Sequence, residues 1–599
     1  MRCDMKKGEF SWFGGGSLNA TLSCVTRWRW DEIDKPAFIW EKDEPGQQEI
    51  VTYKDLQHMM CRVANVLKDH GIQKGDRVAI YMPNSPMAAA AMLACARIGA
   101  IHSVVFAGFS SQALAQRIND ATAVAVITCD EGVRAGKIIP LKRTVDAALQ
   151  SCPTVKHVFV TPRTGGNVPM IYPRDVNLYD CMKLVDRKCK PEQMNADDIL
   201  FLLYTSGSTG QPKGLAHSIA GYLLYASVTH KHVFNYEDDD VYACMADIGW
   251  ITGHSYVVYG PLCNGATSVI FEGTPTYPNP GRYWETVERL KINQFYTAPT
   301  ALRMLLKYGD EWVRNYDRSS LKTLGSVGEP LNHEAYEWYR QVVGESRCPV
   351  LDTWWQTETG GICIAPYPAE HNAKIIPAAP MRPFFGQEPV ILNDQGEELQ
   401  GNNVEGALCL KLPWPGIART IYGHHDRYLE TYFKPFPGYY FTGDGARRDN
   451  EGFIHLTGRM DDIINVSGHR LSTAEVEDAL DVHDAIVESA VVGIPHDLKG
   501  ETLVAFVVLK DDVNIPYDKI EEISKKSVKD AISSYAVPET VFIVEALPKT
   551  RSGKIMRRIL RKIVVGQYED FGDLSALAEP AVVESLVKQH QEHVKNAKN

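Results

Sequence analysis

The segment at 205–214, TSGSTGQPKG, has the residue types and spacing best suited to chemistry in this chain. Gly207, Gly210 and Gly214 let the backbone bend and approach a ligand closely. Successive amide N–H groups of such a loop turn inward as a nest for an anion. Thr205, Ser206, Ser208 and Thr209 add hydroxyl donors, and Lys213 adds a fixed positive charge. The sum suits phosphate. The spacing is not that of a GxxxxGK[ST] loop, because Gly210 is followed by Gln211-Pro212-Lys213-Gly214. Taken alone, the segment reads equally well as a Gly/Ser surface turn. The rest of the chain decides between the two.

The loop follows the apolar run Ile199–Tyr204, and alternating strands and helices surround it. Val78–Tyr81 reads as a short strand, then Ser85 caps a helix with Pro86 at its first position and Gly99 just past its end. Ile101–Phe106 reads as a strand, Ser111–Asp120 as a helix and Ala123–Thr128 as a strand. Similar units recur at Gly265–Phe271, Phe295–Thr297 and Leu324–Val327. Strands without polar alternation, separated by helices, predict an α/β fold whose doubly wound parallel sheets are covered on both faces. From about 385 to 450 turn-rich strands predict an antiparallel β subdomain. Beyond 459–463, taken as a hinge, a small mobile α+β domain is expected over 464–599, leaving 1–458 as the large domain. Its first helix carries a capping box, Ser472 to Glu475. Strands at Ile486–Ile494, Leu503–Leu509 and Thr540–Val544 and a helix around Ile520–Ser533 complete it.

A chain of 599 residues exceeds one compact core. Its 44% hydrophobic and 23% charged residues are ordinary for a soluble globular protein, and a net charge of −11 argues against a nucleic-acid-binding surface. The thirteen cysteines show no metal or disulfide spacing and read as reduced thiols in an intracellular protein. Neither His230/His232 nor His424/His425 has the i, i+4 spacing of a metal pair. The most apolar stretch, Met87–Ala100, is short and interrupted by Arg97, so no membrane span is expected. Near the start Arg2, Lys6 and Lys7 stand with Asp4 and Glu9 and no apolar h-region, so neither a secretory signal nor an Arg-rich transit peptide is expected.

Five further segments stand in order beside the loop: GSVGEP (325–330), DTWWQTETGG (352–361), FTGDGARRD (441–449), LTGRMDD–INVSGHRLS (456–472) and LPKTRSGKIMRR (547–558). On these motifs the chain resembles the adenylate-forming acyl-CoA ligase superfamily, and within it the acetyl-CoA synthetases, from about Phe10 to beyond Ala578. The resemblance implies a reaction in two halves. Acetate attacks the α-phosphorus of ATP to give an acyl-adenylate and pyrophosphate, and the coenzyme A thiol then displaces AMP. A propionate-preferring short-chain acyl-CoA synthetase is the alternative. Two remoter readings are an adenylating enzyme serving a carrier protein and a catalytically silent nucleotide sensor. The closed acyl pocket weighs against the first, and the presence of Lys554, Glu358 and Asp444 weighs against the second.

The resemblance also implies roles. The loop holds the β- and γ-phosphates, Glu358 is linked to magnesium, and Lys554 bridges the substrate carboxylate and the α-phosphate. Asp444 matches the ribose carboxylate, and Arg459 and Arg470 match contacts to ribose and α-phosphate. Gly328, Glu329 and Pro330, with Asp352, Thr353, Trp354, Gln356 and Thr357, match the AMP pocket. Trp355 closes the acyl tunnel beside Ile251, Thr252 and Val327. For the second half the small domain turns about Asp461 and presents Ser467 and Gly468. Gly108, Arg134, Lys137, Thr252, Ala298, Ser467 and Lys529 match coenzyme A contacts. Lys137 and Lys529 depart from the arginines of the bacterial-type enzymes, keeping the charge but losing the bidentate fork.

Family members usually carry a longer segment before the equivalent of Phe10–Leu18, so a shorter isoform or an incomplete start is expected. The compartment expected from the cysteines and the lack of targeting signals is cytoplasmic, with a mitochondrial one left open if the start is incomplete. The basic run Arg551–Lys562 has a nucleic-acid reading, but it coincides with the Lys554 motif. Family behaviour implies that acetylating and deacetylating enzymes act on Lys554, since acetylation removes the charge that adenylation needs.

Overall fold

Two large, mostly parallel sheets carry the site at the ends of their strands. The computed structural model describes residues 1–26, 33–205, 213–329, 331–367, 374–460, 463–466, 469–483, 485–496, 500–510, 515–532, 534–550, 554–569, 571, 574 and 577–598. In the first sheet the order is Asp175–Asn177, His157–Thr161, Ala125–Cys129, Arg77–Tyr81, Ile101–Val104, Ile199–Thr205, Lys213–Ser218 and Thr420–Ile421. All pairings are parallel up to Ile199–Thr205, and the last two are antiparallel. The second sheet runs Val350–Asp352, Thr323–Ser326, Gln294–Thr297, Val241–Cys244, Thr267–Phe271, Pro36–Glu41 and Gln48–Thr52, antiparallel only at its last pair. Some strands are shorter than the sequence suggests. Ile101–Val104 ends before Phe106, and Thr267–Phe271 starts after Gly265.

The helix Pro86–Ile98 forms as its punctuation predicts. Ser85 Oγ accepts from the Ala88 N–H at 3.2 Å, and Gly99 takes the left-handed conformation at φ 77°. The helix is buried on every side. Arg97 tolerates this because its Nε donates to the Cys189 carbonyl at 2.8 Å and its Nη1 to Thr21 Oγ1 at 2.9 Å. A buried cation keeps its charge only with such partners. No helix among the described residues is long and apolar enough to cross a membrane.

The β subdomain is a four-stranded antiparallel sheet of Pro389–Leu392, Val404–Leu410, Tyr440–Arg448 and Ile454–Arg459, so it extends past 450. The small C-terminal unit pairs His469–Ser472, Ile463–Val466, Gly500–Leu509 and Ile486–His496 antiparallel, with Thr540–Ile543 parallel to Gly500–Leu509. Separate apolar clusters cover its two faces, with helices Thr473–Asp481 and Tyr517–Ala531 contributing to one and Arg557–Val564 to the other. The side chains of the expected capping box, Ser472 and Glu475, lie outside the described residues.

Helix Arg282–Leu290 is fastened to strand Pro36–Glu41 by a fully buried ion pair, Arg282 Nη2 to Glu41 at 2.8 Å, with Arg289 as a second partner at 2.7 Å. Removing one partner of a buried pair strands the other charge. Arg282→Met is expected to destabilise the large domain by about 3 kcal/mol, read as a lower midpoint of chemical denaturation. An unchanged midpoint would show that Arg289 alone suffices for Glu41.

Candidate active site

The phosphate-type loop connects two antiparallel strands whose register sets Thr205 opposite Lys213 and Tyr204 opposite Gly214. Ser206, Gly207, Ser208, Thr209 and Gly210 lie outside the described residues. Thr205 Oγ1 is buried without a hydrogen-bond partner among the described residues. Lys213 Nζ donates to the Tyr432 hydroxyl at 2.9 Å, and that hydroxyl donates to Glu358 Oε1. Burial lowers the Lys213 pKa; Glu358 opposes this, while Arg427, Arg459 and Lys554 add to it. Burial and the Glu358 charge hold the Tyr432 phenol far above its ordinary range.

Glu358 sits on a stiff turn. His217 Nε2 lies 2.8 Å from the Thr357 carbonyl, and the Ala418 N–H donates to the Glu358 carbonyl at 2.8 Å. Gly360, at φ 72°, packs so closely that a Cβ there would lie 2.4 Å from the Gly416 carbonyl. Only glycine fits that conformation and space.

Asp444 is held by three neighbours. Trp354 Nε1 and Gln356 Nε2 donate to its Oδ2 at 3.0 and 2.9 Å, and Arg459 Nη1 to its Oδ1 at 3.2 Å. Burial raises its pKa against the pull of Arg459, Trp354 and Lys554. Tyr440 donates to Gln356 Oε1 at 2.9 Å, which fixes the amide so that its NH₂ faces Asp444. Asp352 ends its strand in an apolar setting. Burial pushes its carboxyl up to about 8, opposed by a hydrogen bond from the Leu331 backbone.

Trp355 Nε1 donates to the Tyr296 hydroxyl at 3.1 Å, and its ring meets Tyr256 edge-on at 5.0 Å. Tyr296 also pairs with Thr353 Oγ1 at 2.6 Å. Ile251, Val327 and Trp355 belong to one buried apolar cluster, and Thr252 is half-buried. Gly328 is exposed at φ 107°, beside Glu329. Glu329 forms an ion pair with Arg303 Nη2 at 2.6 Å and accepts from the Thr300 hydroxyl. Burial raises the Glu329 pKa, but Arg303 and Thr300 bring it below the usual value. Arg303 also feels Glu488 and Asp481 of the small unit, so the Gly328–Glu329 turn is electrostatically linked to that unit. Pro330 lies outside the described residues.

Lys554 is exposed, and its backbone N–H donates to Thr550 Oγ1 at 3.0 Å. Its charge acts on both Lys213 and Asp444. Within the basic run, Arg557 is committed to Glu477 at 2.6 Å. Asp461, Ser467 and Gly468 lie outside the described residues, as does the Arg470 side chain. Arg134 and Lys137 stand exposed on a hairpin, Gly132–Arg134 with Lys137–Ile139, whose turn is pinned by Asp43 accepting from the Ala135 and Gly136 N–H groups at 2.8 and 2.7 Å. Gly108 and Ala298 are half-buried, and Ala298 opens helix Pro299–Lys307. Lys529 is exposed on helix Tyr517–Ala531, and no hydrogen bond or ion pair among the described residues joins it to that hairpin.

Sequence reasoning missed Tyr432, Tyr440, Arg303 and Arg427. The signal for Tyr432 was its i, i+4 spacing from Tyr428 on helix His425–Tyr432, a pattern that ordinarily marks core.

A sequence profile described as "AMP-binding enzyme" matches residues 27–422, and one described as "AMP-binding enzyme C-terminal domain" matches 475–554. The chain belongs to the AMP-binding enzyme family. It is 58% identical over 589 residues to "Acetyl-coenzyme A synthetase 2-like, mitochondrial" of Homo sapiens, spanning 98% of this chain and 85% of that protein. It is 54% identical to "Acetyl-coenzyme A synthetase 2" of Pseudomonas aeruginosa, spanning 98% and 90%, and 53% identical to "Acetyl-coenzyme A synthetase" of Coprinopsis cinerea, spanning 97% and 88%. Among solved structures, "Acetoacetyl-CoA Synthetase from Streptomyces lividans" has a TM-score of 0.87 over 97% of this chain and 88% of that one, at 23% identity. That likeness shows a shared fold, and it bears out the α/β reading.

Asp352 supplies a pH signature for this AMP-binding enzyme. An unfolded aspartate ionises near pH 4, whereas the folded carboxyl keeps its proton to about 8. The unfolded chain therefore binds fewer protons across that window, and stability falls as pH rises through it. Asp352→Asn is expected to raise the melting temperature more at pH 8.5 than at pH 5. An equal shift at both would show that Asp352 is ionised when folded.

Proposed function

We propose that this chain is an AMP-forming acetate–CoA ligase, joining acetate to coenzyme A through acetyl-adenylate. The observation that carries this reading is one cluster in which Lys213 and Glu358 meet at Tyr432, Asp444 is held by Trp354 and Gln356, and the charge of Lys554 acts on both Lys213 and Asp444. Between Trp354 and Gln356 the chain runs through Trp355, buried against Tyr296 and Tyr256.

In the first half-reaction an acetate oxygen attacks the α-phosphorus of ATP, the bond to the β-phosphate breaks and pyrophosphate leaves. Both reactants are anionic, so fixed cations and positioning supply most of the help. Lys213 and the loop hydroxyls would hold the leaving phosphates, Lys554 would draw the carboxylate to the α-phosphate, and Asp444, with Arg459 beside it, would accept from the ribose hydroxyls, with Arg470 proposed as a further ribose or α-phosphate contact. Gly328, Glu329, Pro330, Asp352, Thr353 and Thr357 frame the nucleotide. Magnesium takes one or two carboxylates and keeps other oxygens from substrate phosphates and water. The Glu358 carboxylate and the Thr205 hydroxyl, which has no partner among the described residues, are hard oxygen donors of that kind. They would hold the ion, which when bound offsets phosphate charge.

In the second half-reaction the thiol sulfur attacks the acyl carbon, the bond to the AMP oxygen breaks, and AMP leaves. Rotation about Asp461 would replace Lys554 by Ser467 and Gly468, where a glycine lets pantetheine lie against backbone. Arg134 and Lys137 on the pinned hairpin, with Gly108, Thr252, Ala298 and Lys529, would take the rest of coenzyme A. The names of the relatives support acetate over propionate. So does Trp355, since a longer acid would have to displace an indole fixed on two sides. Acetylation of Lys554 would silence adenylation by removing its charge. The proposed compartment is the cytoplasm or, on the printed name of the human relative, the mitochondrion.

A panel of carboxylates scored for pyrophosphate release, with and without coenzyme A, tests the reading. Acetate-dependent release followed by coenzyme A-dependent thioester is expected, and activity only with longer acids would overturn it. Trp355→Gly is expected to admit butyrate and longer acids; an unchanged chain-length preference would remove Trp355 as the wall. Lys554→Ala is expected to lower acetate-dependent pyrophosphate release by at least about 100-fold, while leaving thioester formation from supplied acetyl-adenylate largely intact. Parallel loss of both activities would count against its role in the first step alone.

A further inference from the structure

The contact between the lysine and the carboxylate of the phosphate end is indirect. Lys213 Nζ reaches the Tyr432 hydroxyl at 2.9 Å, and the same hydroxyl donates to Glu358. Opposite charges brought together away from water attract strongly. Left to themselves, Lys213 and Glu358 would pair, and an incoming metal–triphosphate would have to break that pair. The phenol prevents this because one hydroxyl can accept from an ammonium and donate to a carboxylate together.

Its place is set by the framework rather than by the charges. One turn earlier on the same helix, Tyr428 donates to the Ala418 carbonyl at 2.6 Å, and the Ala418 N–H donates to the Glu358 carbonyl at 2.8 Å. The helix and the Glu358 turn are thereby fastened together. On the other side the Tyr432 ring stacks on Tyr440 at 5.5 Å and 14°. Tyr440 donates to Gln356, and Gln356 donates to Asp444. A chain of contacts therefore runs from the phosphate lysine to the ribose carboxylate.

We propose that Tyr432 is a positioning residue that holds Lys213 and Glu358 apart, so that both charges stay available for a metal-bound triphosphate. The proposal rests on the ATP-binding reading given above. It separates two nucleotides: ATP with magnesium engages Lys213 and Glu358, whereas AMP has no β- or γ-phosphate to reach them.

The test is calorimetric titration of the full chain with ATP plus magnesium, and with AMP, in the absence of acetate and coenzyme A. Tyr432→Phe, which keeps the ring and its packing, is expected to weaken magnesium–ATP binding about tenfold, the worth of one charged hydrogen bond. AMP affinity should stay within about twofold. In a Glu358→Gln background, where Lys213 has no carboxylate to collapse onto, Tyr432→Phe should add no further loss. Equal weakening of both nucleotides, no weakening of either, or a full additional loss in the Glu358→Gln background would each overturn the spacer role. A wild-type chain that bound neither nucleotide would instead overturn the ATP-binding reading itself.

Discussion

Charge crowding among buried groups is the constraint around which this molecule is arranged. Arg427, Arg459 and Lys554 all act on Lys213, and Glu358 and Asp444 lie among these cations. Such a set repels itself wherever like charges meet and neutralises itself wherever unlike charges touch, and both effects grow as water is removed. Under the proposed reading, a site for a polyanion is served by neither outcome. Glu358 is steadied by a phenol, its turn by a backbone hydrogen bond from Ala418, and Asp444 by an indole and an amide beside its ion pair with Arg459.

The two sheets meet this requirement from different sides. The first delivers Thr205 and Lys213 at the end of its Ile199–Thr205 strand, and the second delivers Val327, Ala298 and Asp352 at or just past the ends of Thr323–Ser326, Gln294–Thr297 and Val350–Asp352. Ligands of open α/β sheets collect at these carboxyl ends. The β subdomain closes the arrangement by carrying Asp444 and Arg459 on paired strands directly opposite one another. Helix Thr473–Asp481 and strand Ile486–His496 of the small unit add Asp481 and Glu488, which act electrostatically on Arg303.

Much of this was legible in the chain. The helix from Pro86 to Ile98 is announced by Ser85, Pro86 and Gly99, each of which does locally what its chemistry dictates. The order of the motifs points to Asp444, Trp354 and Gln356, which the fold joins by hydrogen bonds. What stayed hidden depends on contacts between distant parts of the chain. Tyr432 meets a residue 74 positions away and Arg303 one 26 positions away, and no local pattern distinguishes such a tyrosine from core. Strand ends at Val104 and Thr267 escaped for a similar reason, since pairing with neighbours rather than residue preference decides where a ladder stops.

The hairpin register bears on how the loop's two anchors are held. Thr205 and Lys213 face each other across antiparallel strands, so a shift of two positions in the pairing would keep both on their present faces. A shift of one position within the flanking strands has a different outcome, because it turns every side chain to the opposite face. Lys213 would then turn away from Tyr432 while the loop sequence remained intact. The phase of the two strands is therefore as much a condition of the site as the loop's own residues.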